Sequence, residues 1–436
     1  STGVASTKSA KVVKRCMMFP GSVRRHHSIT GAAPVHRIVC RWVQAVTGGS
    51  GTARAGGRDA SDLIRELGGL LLTQSSPCRM RPEGFLMPSY TTGFDPGHTK
   101  AVRLNHSYSE LDTGQITLDA IYQAGEALKD VVLRTPLLES LDANAQLGGR
   151  LLIKAEHIQR TGAFKIRGAY NRLRFMSGEE KQQGAVTYSS GNHAQGLALA
   201  AQIFGTTALI VMPDDTPTAK IESTKALGAS VVTFNRDEED SNDVVSRLRE
   251  ETGRIVVPPS GDVRVLAGAG TAALELFQQS ADVKAPLDAV LVPCGGGGLT
   301  AATAFLMHEL SPKTRVYAVE PALFDDTRKS LDAGKRIANP KGQRTICDSI
   351  MTPIPNEHTF EINRKLLAGG LTATDEDVRK ALRYAFDVFK IVLEPGAAVG
   401  IAAILNGQID IKDKTIAVFT TGANIDAKRY CELVNG

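Results

Sequence analysis

Lys165 stands within IKAEHIQRTGAFKIRGAY (153–170), where a strand-like run ends, Thr161-Gly162 turns the chain and an amphipathic helix begins. An amine becomes a nucleophile near neutral pH only when desolvation or nearby positive charge lowers its pKa. A helix start packed behind Phe164 offers both. The competing reading is an ordinary solvated lysine, and the other motifs must decide between them.

Three more stretches carry groups of the right type. Ser189-Ser190-Gly191-Asn192-His193 follows AVTYS (185–189) and opens a helix that runs to Phe204. Gly191 allows close approach of backbone to a ligand, Asn192 offers an amide to a phenolic or carbonyl oxygen, and serines with helix amides suit a carboxylate. A plain helix cap has the same composition. Gly295, Gly296, Gly297 and Gly298 follow AVLVP (289–293) and Cys294, and Leu299 leads from them into TAATAFLMHEL. Wedged between a buried strand and a helix, successive free N–H groups and the helix dipole make a cradle for a phosphate dianion. The run has neither the Lys-Ser/Thr ending of an NTPase loop nor dinucleotide spacing, which favours a small monophosphate. Thr421-Gly422-Ala423-Asn424 ends the run TIAVFTT (415–421). A hydroxyl there can exchange one hydrogen bond with a heteroaromatic nitrogen without holding a proton on it, and a strand-end turn is the bland alternative.

The elements that position these groups read as buried strands alternating with helices. Strand-like runs fall at 151–155, 185–189, 208–213, 230–234, 254–258, 289–293, 315–320 and 415–421. Most are separated by helices of roughly 10 to 20 residues, such as NHAQGLALAAQIFG and DSNDVVSRLREETG, a pattern that argues for α/β architecture with parallel sheets. Ligands in such sheets bind beyond the carboxyl ends of the strands, which is where all the glycine and serine motifs fall.

TGAFKIRGA, SSGNHAQG, PCGGGGL and TTGAN, in this order and spacing, resemble the fold type II pyridoxal-phosphate enzymes, tryptophan synthase β-like in fold, and within them the threonine dehydratase and serine racemase group. The resemblance covers residues 117–436. It implies a two-domain parallel-sheet α/β fold, with 184–262 as a small domain inserted into a large cofactor-binding domain of 116–183 plus 263–436. It implies pyridoxal 5'-phosphate on Lys165, with Phe164 near the ring, Asn192 on the 3′-oxygen, Gly295 to Gly298 on the phosphate and Thr421 at the pyridine nitrogen. Glu394, in LEPGAAVG, matches an acidic residue near the pyridine edge, although a helix-start carboxylate fits equally. Ser190 matches the serine on the face opposite the lysine, and Ser189, Ser190, Gly191 and His193 fall at the substrate positions. Glu320 and Asp326, with the Phe324 carbonyl, match a divalent-cation site whose oxygen ligands suit Mg²⁺ or Ca²⁺. The implied substrate is a small hydroxy-amino acid, and the implied assembly a homodimer or homotetramer.

Several positions depart from the group's pattern. Thr421 replaces the usual Ser or Cys, Ala269 replaces a glutamine, and Ser260 with Gly261 alters a neighbouring segment. Ser241 stands where some racemases carry a substrate-binding arginine, unless Arg236 substitutes. The expected reaction is dehydration and deamination of L-threonine or L-serine to 2-oxobutanoate or pyruvate plus ammonia, with Lys165 and Ser190 as the catalytic pair. Serine racemisation and 3-hydroxyaspartate dehydration are the nearest alternatives. A sulfhydrylase or synthase on the same fold, and a cofactor-holding protein without turnover, are more distant ones.

Composition sets the remaining bounds. A length of 436 residues suits two to three domains with real cores, and 42% hydrophobic with 22% charged residues is globular. No run approaches a membrane-spanning length, so no membrane contact is expected. Six scattered cysteines without CxxC spacing suggest reduced thiols. The net charge of +5 is misleading, because residues 1–58 hold ten Lys or Arg and no acid, leaving −5 on the other 378. A nucleic-acid surface on the folded part is therefore not expected. The acid-free start has a transit-segment composition, consistent with a mitochondrial address, and it also reads as a disordered basic tail or as mistranslated upstream sequence, with a cytoplasmic protein. Residues 61–73 suggest one weak helix, and 74–115 a loose arm, so that 1–115 is an extension. With ten residues after Asp426, no C-terminal regulatory domain is expected.

Overall fold

The strand-like runs assemble into two sheets. In the computed structural model, residues 114–235 and 237–435 are described. The basic start, the 61–73 helix, most of the 74–115 arm and Arg236 lie outside them. Strands β1 (Leu137–Glu139), β2 (Arg150–Lys154), β7 (Ala289–Pro293), β8 (Arg315–Pro321), β9 (Gly369–Ala373) and β10 (Thr415–Phe419) form a six-stranded sheet in the order β1-β2-β10-β7-β8-β9. Strands β3 (Ala185–Tyr188), β4 (Ala208–Pro213), β5 (Ser230–Phe234) and β6 (Ile255–Val256) form a second sheet in the order β5-β4-β3-β6. Every pairing is parallel except β1 with β2. The chain is thus α/β with parallel sheets, as its alternation of runs requires.

Both faces of each sheet are covered, which explains the continuous apolar runs. Leu151, Ile153, Leu291, Ile416 and Val418 enter one core, while Leu152, Val290, Val292, Ala417 and Phe419 enter another. Alternate residues of a strand point to opposite faces, so a strand buried twice needs apolar residues at every position. The second sheet divides likewise, with Ala208, Ile210 and Met212 on one side and Leu209 and Val211 on the other.

Two strands escape the reading of the sequence, and one shrinks. β9 is GGLTA, whose two glycines hide its β character, and β1 spans only three residues. The run at 254–258 pairs only over Ile255–Val256, because Pro258 and Pro259 have no N–H for a ladder.

Six helices carry the site: α1 (Lys165–Leu173), α2 (Asn192–Phe204), α3 (Val263–Asp282), α4 (Gly298–Leu310), α5 (Glu357–Leu366) and α6 (Pro395–Leu405). α1 lies between the sheets. Its Ile166, Ala169 and Leu173 pack in the core of the second sheet. On its other side the fully buried Arg167 is bound by two carboxylates, Glu156 from the short turn after β2 and Glu275 from α3. Arg167 donates to Glu156 Oε2 and Oε1, each at 2.8 Å, and to Glu275 Oε1 and Oε2 at 2.8 and 2.9 Å. Lys154 Nζ completes the cluster, 2.6 Å from Glu275 and 3.0 Å from Gln279 Oε1. Two buried cations thus meet two carboxylates, and α1 is locked in register two residues beyond Lys165.

Candidate active site

The lysine is set by a close helix contact. A Cβ on Gly196 would lie 2.9 Å from the Lys165 carbonyl carbon, so only glycine lets α2 approach the start of α1. Lys165 Nζ donates to Pro259 O at 3.0 Å and sits 5.0 Å from the centroid of the Phe164 ring. Burial pushes Lys165 down to about 8, against the upward pull of the Glu394 charge. Desolvation thus prepares this amine, as the apolar setting of Phe164 suggests.

Asn192, Glu394 and Asn424 form a chain beside it. Asn192 Nδ2 donates to Glu394 Oε1 at 2.7 Å, and Asn424 Nδ2 donates to Asn192 Oδ1 at 2.7 Å and to Thr161 O at 2.8 Å. Glu394 precedes Pro395 at the start of α6, and burial pushes it up to about 7, with Asn192 pulling the other way. Thr421 is buried on the adjacent segment, its carbonyl accepting from Phe164 N at 3.2 Å. The turn at 161–164 and the turn at 421–424 are therefore stitched together, which places the ends of β2 and β10 around the lysine.

Ser189 and Ser190 are half-buried between β3 and α2, and the Gly191 N–H donates to Ser189 Oγ at 3.2 Å. A Cβ on Gly191 would meet no atom within 4 Å, so the backbone there borders open space. His193 Nε2 lies 2.9 Å from Val257 O, and since a carbonyl only accepts, that nitrogen carries the proton. Burial, reinforced by the Lys165 charge, pushes His193 down to about 3, so the ring stays neutral.

Gly295 to Gly298 run from the end of β7 into α4, which starts without a side-chain cap. Gly297 has φ of +79°, and a Cβ there would lie 2.8 Å from Thr359 Oγ1 and from Asn363 Nδ2, so glycine is required. A Cβ on Gly295 would press on Ile350 at 3.2 Å. The segment carrying Ile350 is tied to the second sheet's side by Asp348, 2.5 Å from Lys220 in the helix Thr218–Ala226. Lys165, Phe164, Asn192, His193, Glu394 and Thr421 come together, and the glycine run reaches them through Ile350 and the 259–260 segment.

Glu320 and Asp326 form a separate interacting pair, buried like Phe324 between them in the chain. Glu320 Oε1 and Oε2 accept from the N–H groups of Thr327 and Arg328 at 2.9 and 2.8 Å. Asp326 Oδ1 accepts from Asn339 Nδ2 at 2.7 Å, while its Oδ2 is buried without a partner. Burial, then the Asp326 charge, pushes Glu320 up, and burial does the same to Asp326. Among the described residues no three His, Cys, Asp or Glu side chains gather around one point, so a cation here needs carbonyl or water ligands as well.

Several participants went unread in the sequence. Asn424 lies inside the motif singled out for Thr421, and its conformation alone shows that it braces Asn192. Pro259 and Ser260 belong to a segment that stood out only as a departure. Asp348, and Ser349, whose side chain hydrogen-bonds Glu394, lie in a stretch without any pattern.

The fold and this site define a class. Residues 128–422 match the profile of the family described as pyridoxal-phosphate dependent enzyme, and the chain belongs to that family. Its fold is the type II fold, and its relatives are those of the threonine dehydratase and serine racemase group. An L-threonine ammonia-lyase of Thermotoga maritima is 38% identical over 73% of this chain and 78% of its own length. An L-threo-3-hydroxyaspartate ammonia-lyase of Saccharomyces cerevisiae is 36% identical, over 73% of this chain and 97% of its own. A serine racemase of Schizosaccharomyces pombe is 35% identical over the same two shares, 73% and 97%. Among solved structures, a threonine deaminase of T.th. superposes with a TM-score of 0.68 at 40% identity, over 71% of this chain and 99% of that one. Maize serine racemase gives 0.69 at 32% identity, over 73% and 96%. The residues present suit the family's cofactor: a desolvated amine, and a glycine cradle where side chains would otherwise stand. Among the described residues no helix is long and apolar enough to cross a membrane.

Proposed function

We propose that this chain eliminates the β-hydroxyl of a short β-hydroxy-α-amino acid, L-threonine or L-serine, as water, and that the released enamine takes up water again to give 2-oxobutanoate or pyruvate plus ammonia. The observation that carries this reading is the half-buried Lys165 amine, pushed down to about 8 by desolvation and so able to take a proton from carbon near neutral pH. Relatives named for ammonia release from threonine and from hydroxyaspartate support it. The cofactor supplies an electron sink that acidifies the substrate α-carbon. Lys165 accepts the α-proton. Ser189, Ser190 and the N–H groups at the start of α2 hold the substrate carboxylate, and His193, fixed by Val257, keeps that helix start in place. Phe164 screens the amine from water. Gly295 to Gly298 hold the phosphate, Asn192 the ring oxygen, and Thr421 offers a hydroxyl to the ring nitrogen. Glu394 sets the charge beside Asn192.

Glu320, the Phe324 carbonyl and Asp326 are proposed to bind Mg²⁺ or Ca²⁺, which would satisfy the orphaned Asp326 Oδ2. Residues 184–262 serve as the smaller domain, 116–183 with 263–436 as the larger, and two or four copies assemble. Serine racemisation is the second reading, favoured by Ser190, half-buried between β3 and α2, and by relatives named serine racemase.

The deciding experiment follows 2-oxo acid release and chiral inversion together on L-threonine, L-serine and L-threo-3-hydroxyaspartate, with Lys165→Ala as control. Lysine-dependent 2-oxobutanoate from threonine is the expected result. D-serine forming faster than pyruvate would hand the assignment to the racemase, and fastest turnover of hydroxyaspartate would move the substrate.

A further inference from the structure

The glycine run is gripped from one side. Thr359 Oγ1 donates to the Gly296 carbonyl at 2.8 Å and Asn363 Nδ2 to the Gly297 carbonyl at 3.5 Å, both from α5. In a trans peptide the carbonyl and the following N–H point in opposite directions, so the N–H groups of Gly297 and Gly298 turn away from α5. The absent side chains report the same two faces. A Cβ on Gly297 would touch Thr359 and Asn363, whereas one on Gly296 would lie 2.3 Å from Ser260 Oγ and one on Gly298 3.4 Å from Ser260 Cβ. Ser260 therefore occupies the face toward which the free N–H groups turn.

Ser260 is also held there. Its neighbour Pro259 accepts from Lys165 Nζ at 3.0 Å, the Gly261 carbonyl lies 2.7 Å from His358 Nδ1, and Asp262 caps α3 through the N–H groups of Arg264 and Val265. Ser260 is only 9% exposed, yet its hydroxyl has no hydrogen-bond partner among the described residues. A nearly buried hydroxyl left unpaired against a ring of free N–H groups is a donor awaiting an acceptor.

We infer that Ser260 is a further cofactor-binding residue, its hydroxyl donating to the same phosphate dianion as the N–H groups of Gly297 and Gly298. Through Pro259 the same short segment touches Lys165, so it joins the phosphate end of the site to the amine. A hydrogen bond to a charged acceptor is strong enough that its loss weakens binding roughly tenfold to a hundredfold.

The test titrates the full chain, freed of cofactor, with pyridoxal phosphate and separately with pyridoxal, which has no phosphate. Ser260→Ala should lose roughly tenfold or more of its affinity for pyridoxal phosphate and bind pyridoxal as the wild type does, while Ser260→Thr, which keeps the hydroxyl, stays close to wild type. The inference is overturned if Ser260→Ala binds pyridoxal phosphate within about twofold of wild type, or loses pyridoxal equally, since the latter marks a general distortion. A wild-type chain that bound neither compound would overturn the cofactor assignment and Ser260's role with it.

Discussion

Replacing the amine at the centre of the site should make the cofactor-free protein more stable. Lys165 is half-buried, and its pKa falls from 10.5 to about 8 chiefly through desolvation. A folded-state pKa below the unfolded value means that the unfolded chain holds more protons between about 8 and 10.5, so stability rises with pH through that window. Below pH 8 the full cost of the buried cation is present. At about 1.4 kcal/mol per tenfold, that cost is about 3 kcal/mol, a sizeable share of the 5–15 kcal/mol of an average domain. Lys165→Met removes the charge and keeps an unbranched chain of similar length, so no large cavity opens. Urea unfolding of cofactor-free wild type and variant at pH 7 and pH 10 reads the difference at constant m. The variant should be stabilised by about 2–4 kcal/mol at pH 7, and the gain should shrink at pH 10, where the wild-type amine is already neutral. A variant no more stable than wild type at pH 7, or one with the same gain at both pH values, would refute the claim that desolvation tunes this lysine.

Arg167→Met should cost about 3–5 kcal/mol in urea unfolding, because it strands the carboxylates of Glu156 and Glu275 in the interior, and adding Glu156→Gln should recover part of it. A loss under about 1 kcal/mol would mean that Lys154 alone neutralises the cluster. Millimolar Mg²⁺ or Ca²⁺ should raise the melting midpoint of wild type by a few degrees and leave Asp326→Asn unmoved. Equal shifts in both proteins would remove the cation from this cluster.

How far the sequence could be read depended on whether a role is local in the chain. The β7 run followed by Gly295 to Gly298 and α4 is a local strand-loop-helix unit, so its geometry, a glycine run leading into an uncapped helix, follows from order alone. Lys165 was legible through its turn and helix, but its low pKa comes from burial where α2 and Pro259, both distant in the chain, close around it, against the upward pull of Glu394. β9 was hidden by Gly369 and Gly370, since its place in the sheet is won by pairing with β8 and not by propensity. Arg167 is, by sequence, one more charge on a helix. Nothing in its neighbourhood announces that Glu156 and Glu275, from two other elements, will enclose it.

The same distinction explains why the electrostatics of the site belong to no single motif. Glu394 opens α6, Asn192 opens α2 after β3, and Asn424 follows β10, yet two hydrogen bonds of 2.7 Å join them in series. Asn424 fixes the carbonyl end of the Asn192 amide, which leaves its NH₂ end no choice but Glu394. That donor favours the ionised carboxylate, whereas burial favours the protonated one, and the balance leaves Glu394 at about 7. An ionised Glu394 holds the proton on Lys165, and a neutral Glu394 releases it. Two groups poised near 7 and 8 can therefore exchange charge state within the range in which the proposed base would work, and burial, opposed by the Asn192 donor, sets where that exchange falls.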